Sequence, residues 1–320
     1  MGADRREEDM NKQGENGIPY CDYTWNPVTG CLHGCDYCFA ERIAKRFNGS
    51  KAFPRGFEPA YHPDRLIEPE NIKKPSRIFV SDMGDLFGDW VPDEWIMKVI
   101  YTIECCPQHT FLFLTKNPKR YQKFIFPDNA WLGTSVENQA AADKRIPLLL
   151  QAPAAVRFIS AEPLLGPVVL RKKAINDQEI IQATLMGHLE EYSRPVEREI
   201  DWVICGGESG PGARPMHPDW VMSLRDQCQA AGVPFFFKQW GEWFVPEDGA
   251  EACRVCGCTW NNACEDGCSW VEPGLCSNCT GKQVPNYRAV KFQRVGKKIA
   301  GRKLDDRTWD ELPEIGGQKC

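Results

Sequence analysis

No run of apolar residues in this 320-residue chain approaches the ~20 needed to cross a bilayer as a helix, so no membrane-spanning role is expected. The opening segment, MGADRREEDMNKQGENG, lacks the apolar stretch of a secretory signal. Residues 1–19 are therefore expected to form a disordered leader, and the protein to be cytoplasmic. There is no basic excess: 39 Lys and Arg stand against 44 Asp and Glu, a net charge of −5. An extensive nucleic-acid surface is thereby disfavoured, and any such site must be a local patch. Compositional bias is absent too. With 42% hydrophobic and 26% charged residues the chain is neither disordered nor collagen-like. Its length fits one large domain or two ordinary ones, and no internal repeat is visible beyond an alternation of strands and helices.

What the chain has in excess is cysteine, at 16 residues. In a reducing compartment tight cysteine clusters point to metal ligation rather than disulfides. Ten fall in two clusters: Cys31, Cys35 and Cys38, and then Cys253, Cys256, Cys258, Cys264, Cys268, Cys276 and Cys279. Cys21, Cys105, Cys106, Cys205, Cys228 and Cys320 are dispersed.

Between the clusters, short apolar runs end in small or polar residues. Strands are expected at 22–26, 77–81, 110–115, 130–135, 156–161, 202–206 and 234–238, because apolar runs without period-2 alternation suit strands buried on both faces. Helices are expected at 92–105, 138–150 and 218–231, the last stopped by Gly232. Seven strands in such alternation imply an α/β fold, a full or partial (β/α) barrel with parallel strands, in which chemistry sits where strands end. A doubly wound open sheet is the rival arrangement. The strand ends gather Ser81, Asp82, Met83, Thr115, Ser135, Glu137, Ser160, Glu162, Gly206, Gly207, Glu208 and Lys238. The barrel is expected over 20–246, with an excursion at 174–200. A Cys-rich insert follows at 247–285 and a basic C-terminal tail at 286–320.

The first cluster has the spacing C-x3-C-x2-C directly after the first strand. Three such thiolates can hold three irons of a four-iron cluster and leave the fourth open. A structural zinc site is the alternative, with His33 as its fourth ligand. The motif, with aromatic Tyr37 before the third cysteine, resembles the radical S-adenosylmethionine (SAM) superfamily. Further stretches extend the match: Thr24-Trp25-Asn26-Pro27-Val28-Thr29-Gly30-Cys31, Cys38-Phe39-Ala40-Glu41, Leu114-Thr115-Lys116, Gly133-Thr134-Ser135-Val136-Glu137, Ser160-Ala161-Glu162-Pro163-Leu164, Gly206-Gly207-Glu208-Ser209-Gly210 and Phe237-Lys238-Gln239-Trp240-Gly241. Over residues 20–245 these resemble a phage-type radical-SAM family similar to spore photoproduct lyase. The chain keeps the superfamily spacing between its first two cysteines, where many relatives have a longer spacer.

The resemblance implies a 4Fe-4S cluster on Cys31, Cys35 and Cys38, SAM on its open iron, and reductive cleavage of SAM to a 5′-deoxyadenosyl radical that abstracts hydrogen from the substrate. It implies Tyr37 near the adenine, Asp82 with Ser81 and Met83 near the methionine ammonium, and Ser135 and Glu137 near ribose or carboxylate. Gly206, Gly207 and Glu208 would form a glycine turn facing the ligand, or a tight turn alone. Thr115, Ser160, Glu162 and Lys238 would contact substrate or SAM. Cys205 at the end of the sixth strand is a candidate hydrogen donor, or a small core residue. An electron donor such as flavodoxin or ferredoxin is implied as partner. So is DNA or a nucleotide as substrate: a modified pyrimidine, a thymidine derivative in phage DNA, undergoing rearrangement during base hypermodification, in which case the location is the host cytoplasm. Isomerase or lyase activity is the expected type, and a DNA repair lyase is the alternative reaction.

In the second cluster, Cys253-x2-Cys256 and Cys276-x2-Cys279, nineteen residues apart, have the spacing of a zinc site. Cys258, Cys264 and Cys268 between them offer ligands to a second metal or to an auxiliary iron–sulfur cluster. Residues 282–303 hold eight Lys or Arg and no acid, with Tyr287 and Phe292 interleaved. Such a segment can lie along phosphates or stack on bases, or be a solvated strand. A non-enzymatic, zinc-dependent nucleic-acid-binding protein is therefore the alternative of another class.

Overall fold

The computed structural model describes residues 10–14, 17–170, 199–244, 250–251, 253, 255–256, 258, 264, 267–272, 275–280 and 290–313. Its centre is one eight-stranded sheet: β1 (Asn11–Lys12), β2 (Tyr23–Trp25), β3 (Arg77–Val80), β4 (Thr110–Thr115), β5 (Ala130–Ser135), β6 (Val156–Ala161), β7 (Trp202–Gly206) and β8 (Phe235–Gln239). The strands lie in chain order, and all pairs are parallel except the antiparallel β1–β2. A doubly wound sheet reverses its strand order partway. The sequential order here is that of a partial (β/α) barrel.

Strand alternation divides the core. Ile78, Val80, Phe111, Phe113, Leu132, Ile159, Val203, Cys205 and Phe237 pack with the helices on the convex side. The helices are α1 (Phe39–Arg46), α2 (Asp93–Glu104), α3 (Gln139–Leu150) and α4 (Pro218–Ala231). In α2, Ile96, Val99, Ile100 and Ile103 supply the i, i+3, i+4, i+7 stripe that buries one face. Gly232 ends α4 in the left-handed region (φ 68°), and its N–H reaches the carbonyls of Cys228 and Gln229. On the concave side Tyr20, Phe79, Leu112, Trp131, Phe158, Trp202, Ile204 and Phe236 form a second, aromatic-rich cluster. The ring of Phe158 lies where a Cβ on Gly133 would sit, 2.4 Å from its Cζ, which explains glycine in the middle of β5. This cluster plugs the sheet below and leaves the strand ends to carry polar groups.

Both open edges are covered. β1 pairs with β2, and Met10 is buried. Residues 10–14 are therefore ordered structure and correct the expected leader in that stretch; residues 1–9 lie outside the described residues. At the other edge Asp310 bridges to Phe236, the Phe237 N–H donates to the Trp309 carbonyl, and Leu304 and Trp309 enter the convex core. Unpaired edges invite aggregation, so this pairing has a physical purpose. It also corrects the expected basic tail. Of its described part, Leu304, Trp309 and Asp310 fold back onto the sheet, while Phe292 is buried in a short separate sheet rather than presented to bases. Tyr287 and residues 171–198, most of the expected excursion, lie outside the described residues.

The insert grows from a three-stranded stem of β9 (Trp243–Phe244), β10 (Ala250–Glu251) and β13 (Lys291–Arg294), with β13 in the middle. A short hairpin of β11 (Trp270–Glu272) and β12 (Leu275–Cys276) lies within it. Among the described residues no helix is long and apolar enough to cross a membrane.

Candidate active site

The loop after β2 is fixed before any ligand enters. Gly30 takes φ 86°, and a Cβ there would meet the Glu58 carbonyl oxygen at 2.3 Å, so only glycine fits. Its N–H donates to the Met83 carbonyl and it bridges Gly84, which ties the loop to the end of β3. Cys31 donates its N–H to Phe57, and Cys38 to Cys35. Cys38 caps α1, its Sγ accepting the Glu41 N–H at 3.3 Å, and the Cys31 Sγ accepts the His33 N–H at 3.5 Å. Burial pushes the Cys31 thiol up to about 12; the His33 N–H opposes this, while Asp85, Cys35 and Cys38 add to it. Cys38 is raised for the same first reason, against the Glu41 N–H. Two of the three sulfurs thus carry donors that favour the thiolate form a metal requires.

The zinc alternative for this loop is not assembled here: among the described residues no set of ligand atoms close enough for one ion includes His33. His33 Nε2 lies 2.7 Å from Asp85 Oδ2, and its ring packs edge-on against Trp90. Asp85 is a buried hub that also accepts the Thr115 hydroxyl and the Lys116 and Phe87 N–H groups. Among the described residues, the sets of ligand atoms lying within 4.8 Å of one another, as one ion needs, occur only in the C-terminal cluster. Cys31, Cys35 and Cys38 form no such set. Their donor chemistry and looser spacing fit a multi-iron cluster, with one iron per thiolate.

Beside the loop lies a cleft of about 430 Å³, lined among others by Cys35, Tyr37, Lys116, Glu137, Lys144 and Arg145. That volume is in the range of small-molecule sites. The buried Glu137 organises it. It pairs with Lys116, accepts Arg145 Nη1 at 2.7 Å and takes the Tyr37 hydroxyl proton donor on its other oxygen. Lys116 also donates to the Tyr37 hydroxyl oxygen. The Tyr37 ring lies between cations, with Lys116 at 5.1 Å and Arg214 at 5.8 Å from its centre. Burial lowers the pKa of Lys116 and of Arg145, with the Cys35 thiol pulling each the other way. Three cations line the cleft against one carboxylate, so it favours an anionic ligand.

The other predicted residues divide into three groups. Ser81 follows β3 at φ 57°, rare for a non-glycine residue, and its buried hydroxyl has no partner among the described residues. Asp82 accepts from Asn26 Nδ2 at 2.6 Å; burial raises its pKa and the Asn26 bond opposes. The Met83 N–H donates to Asn26 Oδ1. A second polar group stands on the aromatic plug: Lys238 reaches Glu162 at 3.1 Å and lies over the Tyr20 ring, while Ser160 and the Tyr20 hydroxyl approach Glu162 Oε2 at 3.4 Å. The third group is structural. Thr115 is spent on Asp85. Ser135 offers its carbonyl to Arg145. Gly206 backs onto Glu162, and a Cβ on Gly207 would meet the Trp240 carbonyl oxygen at 1.9 Å. The Gly207 N–H is already given to Gln239, so this turn serves packing. Glu208 accepts Arg214 Nε at 2.7 Å.

Cys205 does not face the cleft. It is fully buried in the convex core, its thiol raised by burial. Strand alternation gives the concave face of β7 to Trp202 and Ile204, which leaves the donor role without geometric support. Residues absent from the sequence-based set but central here are Asp85, Lys116, Arg145, Arg214 and Asn26. Asn26 and Lys116 stood in the quoted stretches, whereas Arg145 sits mid-helix with nothing in its spacing to mark it.

The C-terminal cysteines also converge. Cys253, Cys256, Cys276 and Cys279 form one four-sulfur set, and Cys256, Cys258, Cys264 and Cys276 another. All six, and Cys268 beside them, are free thiols, so none of the seven pairs as a disulfide.

No curated protein matches the sequence. Solved structures similar to the chain include a single-residue variant of spore photoproduct lyase with dinucleoside spore photoproduct: 13% identity, 70% of this chain, 64% of that one, TM-score 0.39. A double variant with bound AdoMet and the same photoproduct has 13% identity, 64% and 60% coverage and a TM-score of 0.37. A further single-residue variant has 15% identity, 63% and 59% coverage and a TM-score of 0.37. The chain spans less than two thirds of each, and so distant a likeness adds nothing to the geometry above. A family model described as "Protein of unknown function (DUF5131)" matches residues 15–313. Because that match runs through the cysteine loop, the cleft and the insert alike, the chain belongs to this family, DUF5131.

Proposed function

We propose that the protein is a radical SAM enzyme. The observation that carries this reading is the pre-shaped loop of Cys31, Cys35 and Cys38, two of its sulfurs already accepting N–H bonds, opening onto the cationic cleft around Glu137. The three thiolates would hold a 4Fe-4S cluster, and the cleft with the unpartnered Ser81 hydroxyl would hold SAM. When bound, these two supply one-electron chemistry able to break unactivated C–H bonds. The chain's own contribution is positional. Lys116 and Arg145 attract an anionic group, Glu137 fixes both, and Tyr37 supplies an aromatic face. Glu162, Lys238 and Ser160 stand further inside, where a substrate would meet the plug.

The substrate class in this reading is a nucleotide or a nucleic-acid strand with an extruded base, which would enter beyond SAM where Lys238 stands on the aromatic plug. Hydrogen abstraction from a pyrimidine substituent, ending in isomerisation or lysis, is the finer reading. An external one-electron donor of flavodoxin or ferredoxin type would complete it.

Anaerobically purified protein should carry about four irons per chain in the barrel. With dithionite it should release 5′-deoxyadenosine from SAM. A colourless protein without iron after reconstitution refutes the proposal. Mass spectrometry of nucleosides after incubation with DNA tests the substrate class, and turnover of a peptide with DNA unchanged refutes that part alone.

A further inference from the structure

We infer that the insert holds a binuclear thiolate site: two zinc ions bridged by the sulfurs of Cys256 and Cys276. The two four-sulfur sets share these two residues and no others. Cys253 and Cys279 complete one tetrahedron, and Cys258 and Cys264 complete the other.

The distances favour single ions over an iron–sulfur cluster. Tetrahedral zinc with Zn–S bonds of about 2.3 Å requires sulfurs about 3.8 Å apart. Cys256 and Cys276 lie 3.6 Å apart, Cys256 and Cys264 3.7 Å, and Cys264 and Cys276 4.0 Å, so three sulfurs already outline one face of a tetrahedron. Thiolates of a four-iron cluster each take a different iron and stand apart by its width. A disulfide would need about 2.05 Å. The Cys276 N–H points at Cys253 Sγ, a donor that steadies a thiolate. Cys268 belongs to neither set; it lies 3.5 Å from Cys258 and its sulfur accepts the Cys264 N–H, which makes it a neighbour rather than a ligand.

Among the module's described residues the hydrophobic cluster is these cysteines with Val255, Trp270 and Leu275. An apolar core of that size does not sustain a fold, so the ions would supply its folding energy, releasing protons from six thiols on binding.

The test uses the full-length protein. Elemental analysis should give two zinc ions per chain whatever the iron content. After exchange to ¹¹³Cd, NMR should show two resonances in the sulfur-only range, split by coupling through the shared sulfurs. Cys258→Ser should drop zinc to one per chain and Cys256→Ser should lower both sites. Cys268→Ser should keep two. A count of one in the wild type, two uncoupled cadmium resonances, or iron retained in a variant lacking Cys31, Cys35 and Cys38 overturns the inference. Iron content and SAM cleavage in Cys258→Ser should stay at the wild-type level, so failure here is distinguishable from failure of the radical SAM reading.

Discussion

In the proposed reading the two cysteine clusters of this chain use the same ligand atom for opposite ends. In the insert, sulfurs approach to 3.5–4.0 Å and surround themselves with one another, Val255, Trp270 and Leu275. In the barrel loop, the three sulfurs form no ion-sized set, and Cys35 lines a cleft with Tyr37, Lys116, Glu137 and Arg145. A closed set of thiolates saturates its metal and stabilises a fold; an incomplete set beside charged side chains leaves a coordination position for a ligand. Density of cysteine is therefore a poor guide to chemistry, and the spacing between sulfurs is a better one.

The largest expected effect separates the two clusters outright. Cys35→Ala should remove the barrel iron and reduce SAM cleavage to background, a loss of roughly 10³-fold or more, as expected when the electron route itself is removed. Zinc content should not change. Loss of zinc alongside iron, measured by elemental analysis, would show that the clusters are not independent.

Next in size is the anchor of the cleft. Glu137→Gln removes the carboxylate that Lys116 and Arg145 share, in a place where all three side chains are largely buried. Stranding two cations costs about 3–5 kcal/mol. The melting temperature of the barrel should fall and SAM affinity weaken, while a chelator should extract zinc at an unchanged rate. An unchanged denaturant midpoint would remove Glu137 from its organising role.

Much of this was legible in the residues. The seven expected strands all exist, within a residue or two at their ends, because continuous apolar runs leave few alternatives. Cys31, Cys35 and Cys38 are marked by spacing, and six of the seven insert cysteines fall into ion-sized sets. Helix α1 was not expected because Phe39–Arg46 carries too short an apolar stripe: only Ala40 and Ala44 are buried. Two kinds of information were out of reach. The face of Cys205 depends on register, and a one-residue slip reverses it. Asp85 meets Thr115 from 30 residues away and Glu137 meets Tyr37 from 100, so no local pattern announces those contacts.

Acid should affect the regions differently. The short hairpin of Val28–Thr29 with Ala60–Tyr61 roots the barrel loop, and there His62 meets the Thr29 hydroxyl at 2.9 Å. Burial first, then the Arg65 cation, lowers His62 to about 4 from its usual 6.5. On acidification the unfolded chain takes up this proton first. The stabilisation is complete above pH 6.5 and is lost as pH falls toward 4, amounting to about 2–3 kcal/mol. Denaturant midpoints of the barrel should therefore decline through that window, and His62→Gln should flatten the decline. Zinc release from the insert, followed in the same samples, should track thiolate protonation and be indifferent to this substitution.

The smallest expected effect bears on whether the barrel loop is a second zinc site in disguise. His33→Ala removes the imidazole that the cysteine motif itself carries. In the structure that ring is committed to Asp85, which keeps its bonds from Thr115, Lys116 and Phe87 when the histidine is gone. The cost should be about 1 kcal/mol, that of one partly exposed hydrogen bond. The iron count and the SAM-cleavage rate should stay within about twofold, since a change of that size is below 0.5 kcal/mol in free energy. If instead the variant loses bound metal, His33 is a ligand, the loop is closed with four ligands like the insert, and no position is left for SAM.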